Sequence, residues 1–266
     1  MTGAFQAFAV RGASGPVVTL QAGVDFAGYF WTTTSRRAGK VKALRRDPVA
    51  SVLSRTKDSW SLRAGRAVIF DPAHPSDAIR ELPTLALAGT ALALIAARYP
   101  EQVLGYVVDG KATPRSWRPY NRVLLAVRHE DQITWTDDGI ITERTARFEN
   151  DSDSRETPPS VVGVGSSCWV GIDRDGGPLV LPGQWSSTRA TVRVPAGVLT
   201  ALRPRLPGPV CVTIDESASP RPSDKTGIIA RGEASDYRVR AGTASIVVAV
   251  KSVTTWHGFR STVTAA

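Results

Sequence analysis

The chain has 266 residues, 42% of them hydrophobic and 21% charged, with 33 Lys+Arg against 24 Asp+Glu and a net charge of +9. That composition excludes global disorder, and two distant cysteines, Cys168 and Cys211, exclude a disulfide scaffold or a cysteine metal site. The opening MTGAFQAFAVRGASG lacks a basic region followed by an apolar one, so the reading is a cytoplasmic protein without a signal peptide.

Most of the charge excess sits in one place. Between Arg36 and Arg66 there are ten basic residues and two acidic ones, Asp47 and Asp58. Such a concentration suits a polyanion, or else forms a solvated basic face. Nucleic acid is disfavoured as the partner, because no helix-turn-helix, zinc-finger or aromatic RNA-binding motif is present.

In chain order, Gln6–Arg11 and Pro16–Gln21 read as strands joined by Gly12-Ala13-Ser14-Gly15, and Gly28–Thr34 as an aromatic, β-branched strand. A short basic helix over Gly39–Arg46 stops at Asp47-Pro48, because the residue before proline leaves helical geometry. Val49–Ser54 and Arg63–Phe70 are further strands. Pro75–Tyr99 is the one long helical stretch; its Leu82–Ala97 portion is uncharged but too short to span a bilayer, so a buried core helix is expected and no membrane partner. Val123–Arg128 and Gln132–Thr136 resume the β pattern. The polar, proline-ended segment 149–160 reads as a linker between a first domain, 1–148, and a second, 161–266.

The second half repeats the first. Ser167–Asp173 and Pro178–Leu181 form a hairpin, Thr191–Val194 a strand, Pro195–Leu202 a short helix, and Pro209–Asp215, Gly227–Ser235 and Ala244–Val253 strands. Gly15-Pro16-Val17-Val18 matches Gly177-Pro178-Leu179-Val180, 162 residues on, and Asp47–Val52 matches Gly208–Thr213 at almost the same offset. Gly65-Arg66-Ala67 has a counterpart in Arg231-Gly232-Glu233-Ala234. A duplication giving two small barrels of α+β, mainly β type is the economical architecture.

The stretch Tyr29–Pro48, above all Lys40-Val-Lys-Ala-Leu-Arg-Arg-Asp-Pro48, resembles the pyridoxamine 5′-phosphate oxidase-like split barrels. Gly65-Arg66-Ala67, Pro114-Arg-Ser-Trp117, Arg122–Arg128 and Trp256-His257-Gly258-Phe259 are similar to later parts of such domains. The resemblance implies two tandem split β-barrels forming an intrachain pseudo-dimer. It also implies an FMN- or F420-dependent oxidoreductase moving hydride to or from a small organic substrate. The alternative is a non-catalytic flavin- or haem-binding barrel.

In that family the lysine at the position of Lys40 and the Ser/Thr–Arg element before it grip the cofactor phosphate. The implied cofactor-binding set here is Thr33, Thr34, Ser35, Arg36, Lys40, Arg66 and Trp256. Physically, the junction of a strand end and a helix start leaves N–H groups unpaired, and charged side chains there strengthen anion binding. Two extra residues between Arg36 and Lys40 leave the roles of Arg36 and Arg37 open. Lys42, Arg45 and Arg46 read as the wet face of the helix. Trp31, Trp185 and His257 are candidates to face the substrate. No triad, nucleophile elbow or helix-spaced histidine pair marks a covalent catalyst or a metal.

At an offset of 162, Ser35 falls on Gly197 and Lys40 on Leu202, so the second half lacks a phosphate grip. One cofactor per chain and a monomer are expected.

Overall fold

The computed structural model describes residues 6–74, 81–109, 113–115, 118–145, 166–186, 191–216 and 221–266. The linker expected at 149–160, the first residues of the Pro75–Tyr99 stretch, and Ser116 and Trp117 lie outside them.

The first half contains β1 (Gln6–Gly12), β2 (Gly15–Gln21), β3 (Gly23–Phe26), β4 (Tyr29–Ser35), α1 (Gly39–Arg46), β5 (Val49–Arg55) and β6 (Ser59–Phe70). Helices α2 (Leu82–Leu85), α3 (Ala88–Arg98) and α4 (Pro100–Val108) follow, then β7 (Arg122–Arg128), β8 (Asp131–Thr136) and β9 (Ile141–Arg144). All pairings are antiparallel, in the order β2-β1-β5-β6-β7-β4-β3, with β8 joining β6 to β9. On its edge away from β5, strand β6 serves two partners in turn: Ser59–Ala64 pair with β8, and Ala67–Phe70 pair with β7. Gly65 is the point of transfer. A Cβ there would stand 1.8 Å from the Arg128 carbonyl oxygen, so only glycine lets the strand pass.

The second half contains β10 (Ser166–Arg174), β11 (Gly177–Ser186), β12 (Thr191–Pro195), α5 (Ala196–Leu202), β13 (Gly208–Asp215), β14 (Thr226–Arg240), β15 (Thr243–His257) and β16 (Arg260–Ala265). Pairing of β12 with β15 closes the ring β10-β11-β12-β15-β14-β13. Each element has a counterpart in the first half. Strand β15 does the work of β7 and β8 together, and Gly232, at a bulge in β14, occupies the place of Gly65 with a Cβ position 2.1 Å from the Ala249 carbonyl oxygen.

The halves pack through β1, β2 and β5 on one side and β10, β11 and β13 on the other, and the contacts are reciprocal. Gly15 leaves room for the ring of Pro209, and Gly177 does the same for Val49. Val18 sits in the space left by Gly171, while the Val18 carbonyl accepts from the Thr213 hydroxyl at 2.9 Å. Arg11 and Asp173 hold equivalent positions, each opposite the proline of its own hairpin, Pro16 and Pro178, and they meet at 3.3 Å. Arg11 also bonds Asp47 at 3.1 Å. This is a pseudo-two-fold interface within one chain. A continuous core runs across it, from Ala7, Leu53, Leu62 and Trp135 to Val170, Leu181 and Val212.

The helix expected to be buried is not. Helix α3 buries Ala91 and Ile95 on a cluster with Trp31, Phe70 and Leu124, but Leu92 is 45% and Leu94 39% exposed. The helix is apolar on every side, so composition did not reveal which face packs. Ile95→Asp is therefore expected to cost several kcal/mol, about 3 or more, whereas Leu92→Asp should stay within about 0.5 kcal/mol in chemical denaturation. Across the seam, Arg11→Asp should destabilise, and adding Asp173→Arg should restore about 1–2 kcal/mol in a double-mutant cycle.

Candidate functional site

The expected helix over Gly39–Arg46 forms with those bounds. It buries Val41, Ala43 and Leu44 on the first barrel and ends as Asp47 precedes Pro48. Lys40, in its first turn, is thereby turned toward β2, where its Nζ donates to the Thr19 hydroxyl at 2.8 Å. On β2, Val18 faces the second barrel, so Thr19 and the ammonium lie on the other face of the strand, with Phe8, Val10 and α1.

Arg122 completes the cationic pair. It opens β7 directly opposite Ser35. Its Nε and Nη2 donate to the Thr33 hydroxyl at 3.1 and 3.0 Å, and Nη2 also donates to the Thr33 carbonyl at 2.8 Å. Nη1 donates to the Tyr106 hydroxyl of α4 at 3.1 Å, with the guanidinium over the Tyr106 ring. Burial of its ammonium, with a contribution from the Arg122 charge, pushes Lys40 down to about 7. Among the described residues no carboxylate neutralises either cation. An anion placed there meets two positive charges and three hydroxyl-bearing residues, Thr19, Thr33 and Tyr106.

The other basic residues of the Arg36–Arg66 stretch mostly have internal partners. Arg36 and Arg45 both reach the buried Asp71 at 2.7 Å, and His74 reaches it at 3.2 Å. Burial would raise the Asp71 carboxyl, but the Ala73 N–H, His74 and Arg36 hold it below its ordinary range. Arg36 is thus tied into an ion-pair group in which one carboxylate serves two guanidinium groups, and Arg45 belongs to the same group and is not merely a wet face. Arg46 donates to the Arg11 carbonyl, Arg55 pairs with Asp137, and Arg63 pairs with Asp25.

The remaining expected residues separate. Thr33 orients Arg122, Thr34 is buried in β4, and the Ser35 hydroxyl accepts the Arg37 N–H at 3.3 Å in the turn entering α1. Arg66 is exposed on β6, with no described contact to the Lys40 group. Trp31 is fully buried, stacked on Phe70 with its N–H on the Phe26 carbonyl, so it is core and faces no substrate. Trp185 lies half-buried against the second barrel. Trp256 covers Gly227, its cross-strand partner, and His257 is exposed beside it. The second barrel approaches the site through α4: Gly105 packs on Pro222, the Ser223 N–H donates to Asp109 at 3.1 Å, and Gly258 packs on Ser223.

Thr19, Tyr106 and Arg122 were not foreseen as site residues. Thr19 and Arg122 lie on strands far from Lys40 in sequence, and only strand pairing brings them together. The one available signal was Arg122 itself, a cation opening an otherwise apolar strand.

The helix-to-helix match also corrects the repeat offset. Helix α5 begins after Pro195 as α1 begins after Ala38, so Gly197, not Leu202, is the counterpart of Lys40. By strand register, Leu181 stands for Thr19, Arg193 for Thr33 and Thr243 for Arg122. The conclusion that the second half lacks the cationic pair is unchanged.

Neither a protein-family model nor a curated protein matches this chain. Solved structures similar to it include a pyridoxamine 5′-phosphate oxidase-related, FMN-binding protein from Nostoc punctiforme, with 14% identity over 53% of this chain and 86% of that one and a TM-score of 0.35. An F420 reductase matches at 12% identity, over 48% of this chain and 87% of the other, with a TM-score of 0.31. A heme-binding protein from Mycobacterium smegmatis matches at 15% identity, with a TM-score of 0.36, over 54% of this chain and about half of its own, 53%. Strand order and the bifurcated β6, with α1 between β4 and β5, decide the fold. Each half is an antiparallel split β-barrel. The two make a tandem, and in the first barrel the cations Lys40 and Arg122 stand at the junction of β4, α1 and β7.

One consequence is testable without a ligand. The folded Lys40 holds its proton less tightly than an ordinary lysine at 10.5, so the unfolded chain takes up more protons between about pH 7 and 10.5, and stability rises with pH there. Below pH 7 the folded protein carries the buried charge in full. Lys40→Met should therefore raise the melting temperature most at pH 6, with the gain shrinking as the pH approaches 10.

Proposed function

We propose that this chain is an oxidoreductase of the split-barrel class that binds one phosphate-bearing flavin or deazaflavin, FMN or F420, at the Lys40–Arg122 pair of its first barrel. The observation that carries this reading is the pair Lys40 and Arg122, two adjacent cations without a carboxylate among the described residues, whereas Arg36, Arg45, Arg55 and Arg63 each have one. Lys40 and Arg122 would hold the phosphate by charge-assisted hydrogen bonds, with Thr19 and Thr33 orienting the two cations. When bound, such a cofactor supplies hydride chemistry to a small organic substrate. The protein's part is position and electrostatics: Tyr106 fixes the Arg122 guanidinium, and the Pro222–Lys225 segment with Trp256 supplies a wall from the second barrel. The resemblance of Lys40–Pro48 to the phosphate-gripping motif of that family points the same way.

A haem-binding reading has less support from the side chains. His74 and His129 are engaged by Asp71 and Asp25, and burial pushes the Cys168 thiol up to about 12 and raises that of Cys211. Among the described residues His257 has no such partner. The two buried free thiols suit the cytoplasm, where cysteines stay reduced.

Calorimetric titration with FMN and with F420 tests the proposal. One of them should bind at one site per chain to a monomer, and Lys40→Ala or Arg122→Ala should each weaken it by about 1.5–3 kcal/mol. A phosphate dianion raises the Lys40 pKa, so binding takes up a proton above pH 7. Affinity should be level just below pH 7 and fall up to about tenfold per pH unit above it, a slope that Lys40→Arg removes. Unchanged affinity in both alanine variants, or two equal sites, overturns the reading.

A further inference from the structure

The first barrel is not closed by hydrogen bonds. Its strand order puts β2 and β3 at opposite ends, and among the described residues no pairing joins β3 to β1 or β2. An open cleft of about 490 Å³ lies between β1 and β3, within the range of small-molecule sites. Gln6 of β1, the Gly23–Asp25 stretch of β3, and Leu94, Ala97 and Arg98 of α3 wall it. Tyr99, just past α3, ties the helix to that strand, its hydroxyl donating to the Gly23 carbonyl at 3.0 Å.

Strand register makes part of this wall polar. Gln6, Asp25 and Arg63 share a face with Phe8, Phe30 and Val52 of the first barrel's core, so a polar layer caps one end of that core. Arg63 pairs through Nη1 with Asp25 Oδ1 and donates through Nη2 to the Ser54 hydroxyl at 2.6 Å, while His129 Nε2 stands 3.3 Å from the same Oδ1. Burial would raise the Asp25 carboxyl, but His129 and Arg63 hold it below its ordinary range. Both contacts fall on Oδ1, and among the described residues Oδ2 has no hydrogen-bond partner. The Gln6 side-chain carbonyl is also buried without a donor, which costs free energy until one arrives. The cleft thus holds two unserved acceptors, the exposed Arg98 guanidinium, and the hydrocarbon of Val24, Leu94 and Ala97. A bare amine there would meet Arg98 and Arg63, and a bare carboxylate would meet Asp25, so a ligand carrying both charges fits best. We propose that the cleft binds a small zwitterion, an α-amino acid with an aliphatic side chain. Its ammonium donates to Asp25 and Gln6, its carboxylate accepts from Arg98, and its side chain covers Val24, Leu94 and Ala97.

Calorimetric titration of the full chain with L-leucine, without added cofactor, tests this separately from the FMN and F420 titrations. Leucine should bind at one site per chain. Isocaproate and isoamylamine, which each lack one of its charged groups, should bind at least about tenfold more weakly, the share of one charged hydrogen bond. Arg98→Ala, an exposed substitution, should weaken leucine by about tenfold at an unchanged melting temperature. Gln6→Met removes a buried carbonyl that has no partner, so it should leave the melting temperature level or raised while weakening leucine by about fivefold. A merely structural glutamine would show the reverse, a lower melting temperature and an unchanged affinity. If Gln6→Met does not fold, Arg98→Ala decides. No saturable binding of leucine up to about 10 mM, equal binding of either half-analogue, or unchanged affinity in the folded variants overturns the proposal.

Discussion

The structure turns on the seam where β1, β2 and β5 meet β10, β11 and β13. At its pseudo-two-fold axis Arg11 faces Asp173, residues at equivalent positions of the two repeats. In a symmetric homodimer a residue on the axis meets its own copy, so a charged group there would face like charge. Covalent duplication removes that constraint, because each half can diverge. The glycines show the older symmetry, with Gly15 receiving Pro209 and Gly177 receiving Val49, while the Arg–Asp pair shows divergence across the same axis.

The same freedom explains why the cationic site is one-sided. In the first barrel a lysine in the opening turn of α1, a threonine on β2 and an arginine opening β7 converge. In the second, the corresponding positions hold Gly197, Leu181 and Thr243, and the surroundings of α5 have become core, with Val198, Leu199 and Leu202 buried. Packing there has gained what anion binding has lost. The first barrel keeps the opposite balance: Lys40 is left partly desolvated beside Arg122, an arrangement that costs stability without an anion and that an anion relieves.

Local grammar carried much of the fold. Hairpins at Gly12–Gly15 and Arg174–Gly177, the α1 helix ended by Asp47-Pro48, and the two-fold repeat were legible because glycine, proline and β-branched runs act over a few residues. Long-range pairing was not legible. Arg36 and Arg45 looked like ligand or solvent cations because their partner, Asp71, lies beyond two intervening strands. Arg122 and Thr19 escaped notice because only β-register sets them near Lys40. Trp31 looked like a cleft residue, although β4 turns it inward onto Phe70. The helix offset slipped chiefly because the second barrel passes from β12 straight into α5 at Pro195, without the Arg36–Ala38 turn that precedes α1, so equal spacing in sequence did not mean equal place in space.

The central claim is that a phosphate-bearing cofactor sits on Lys40 and Arg122 of the first barrel and against the second barrel in the same chain. A crystal structure of the complex with whichever of FMN or F420 binds tests it most directly. The account predicts one cofactor per chain, a phosphate oxygen within hydrogen-bond distance of both the Lys40 ammonium and the Arg122 guanidinium, and contacts to the ring system from both barrels. A phosphate held elsewhere, or a second cofactor at the equivalent position beside Gly197, would contradict it.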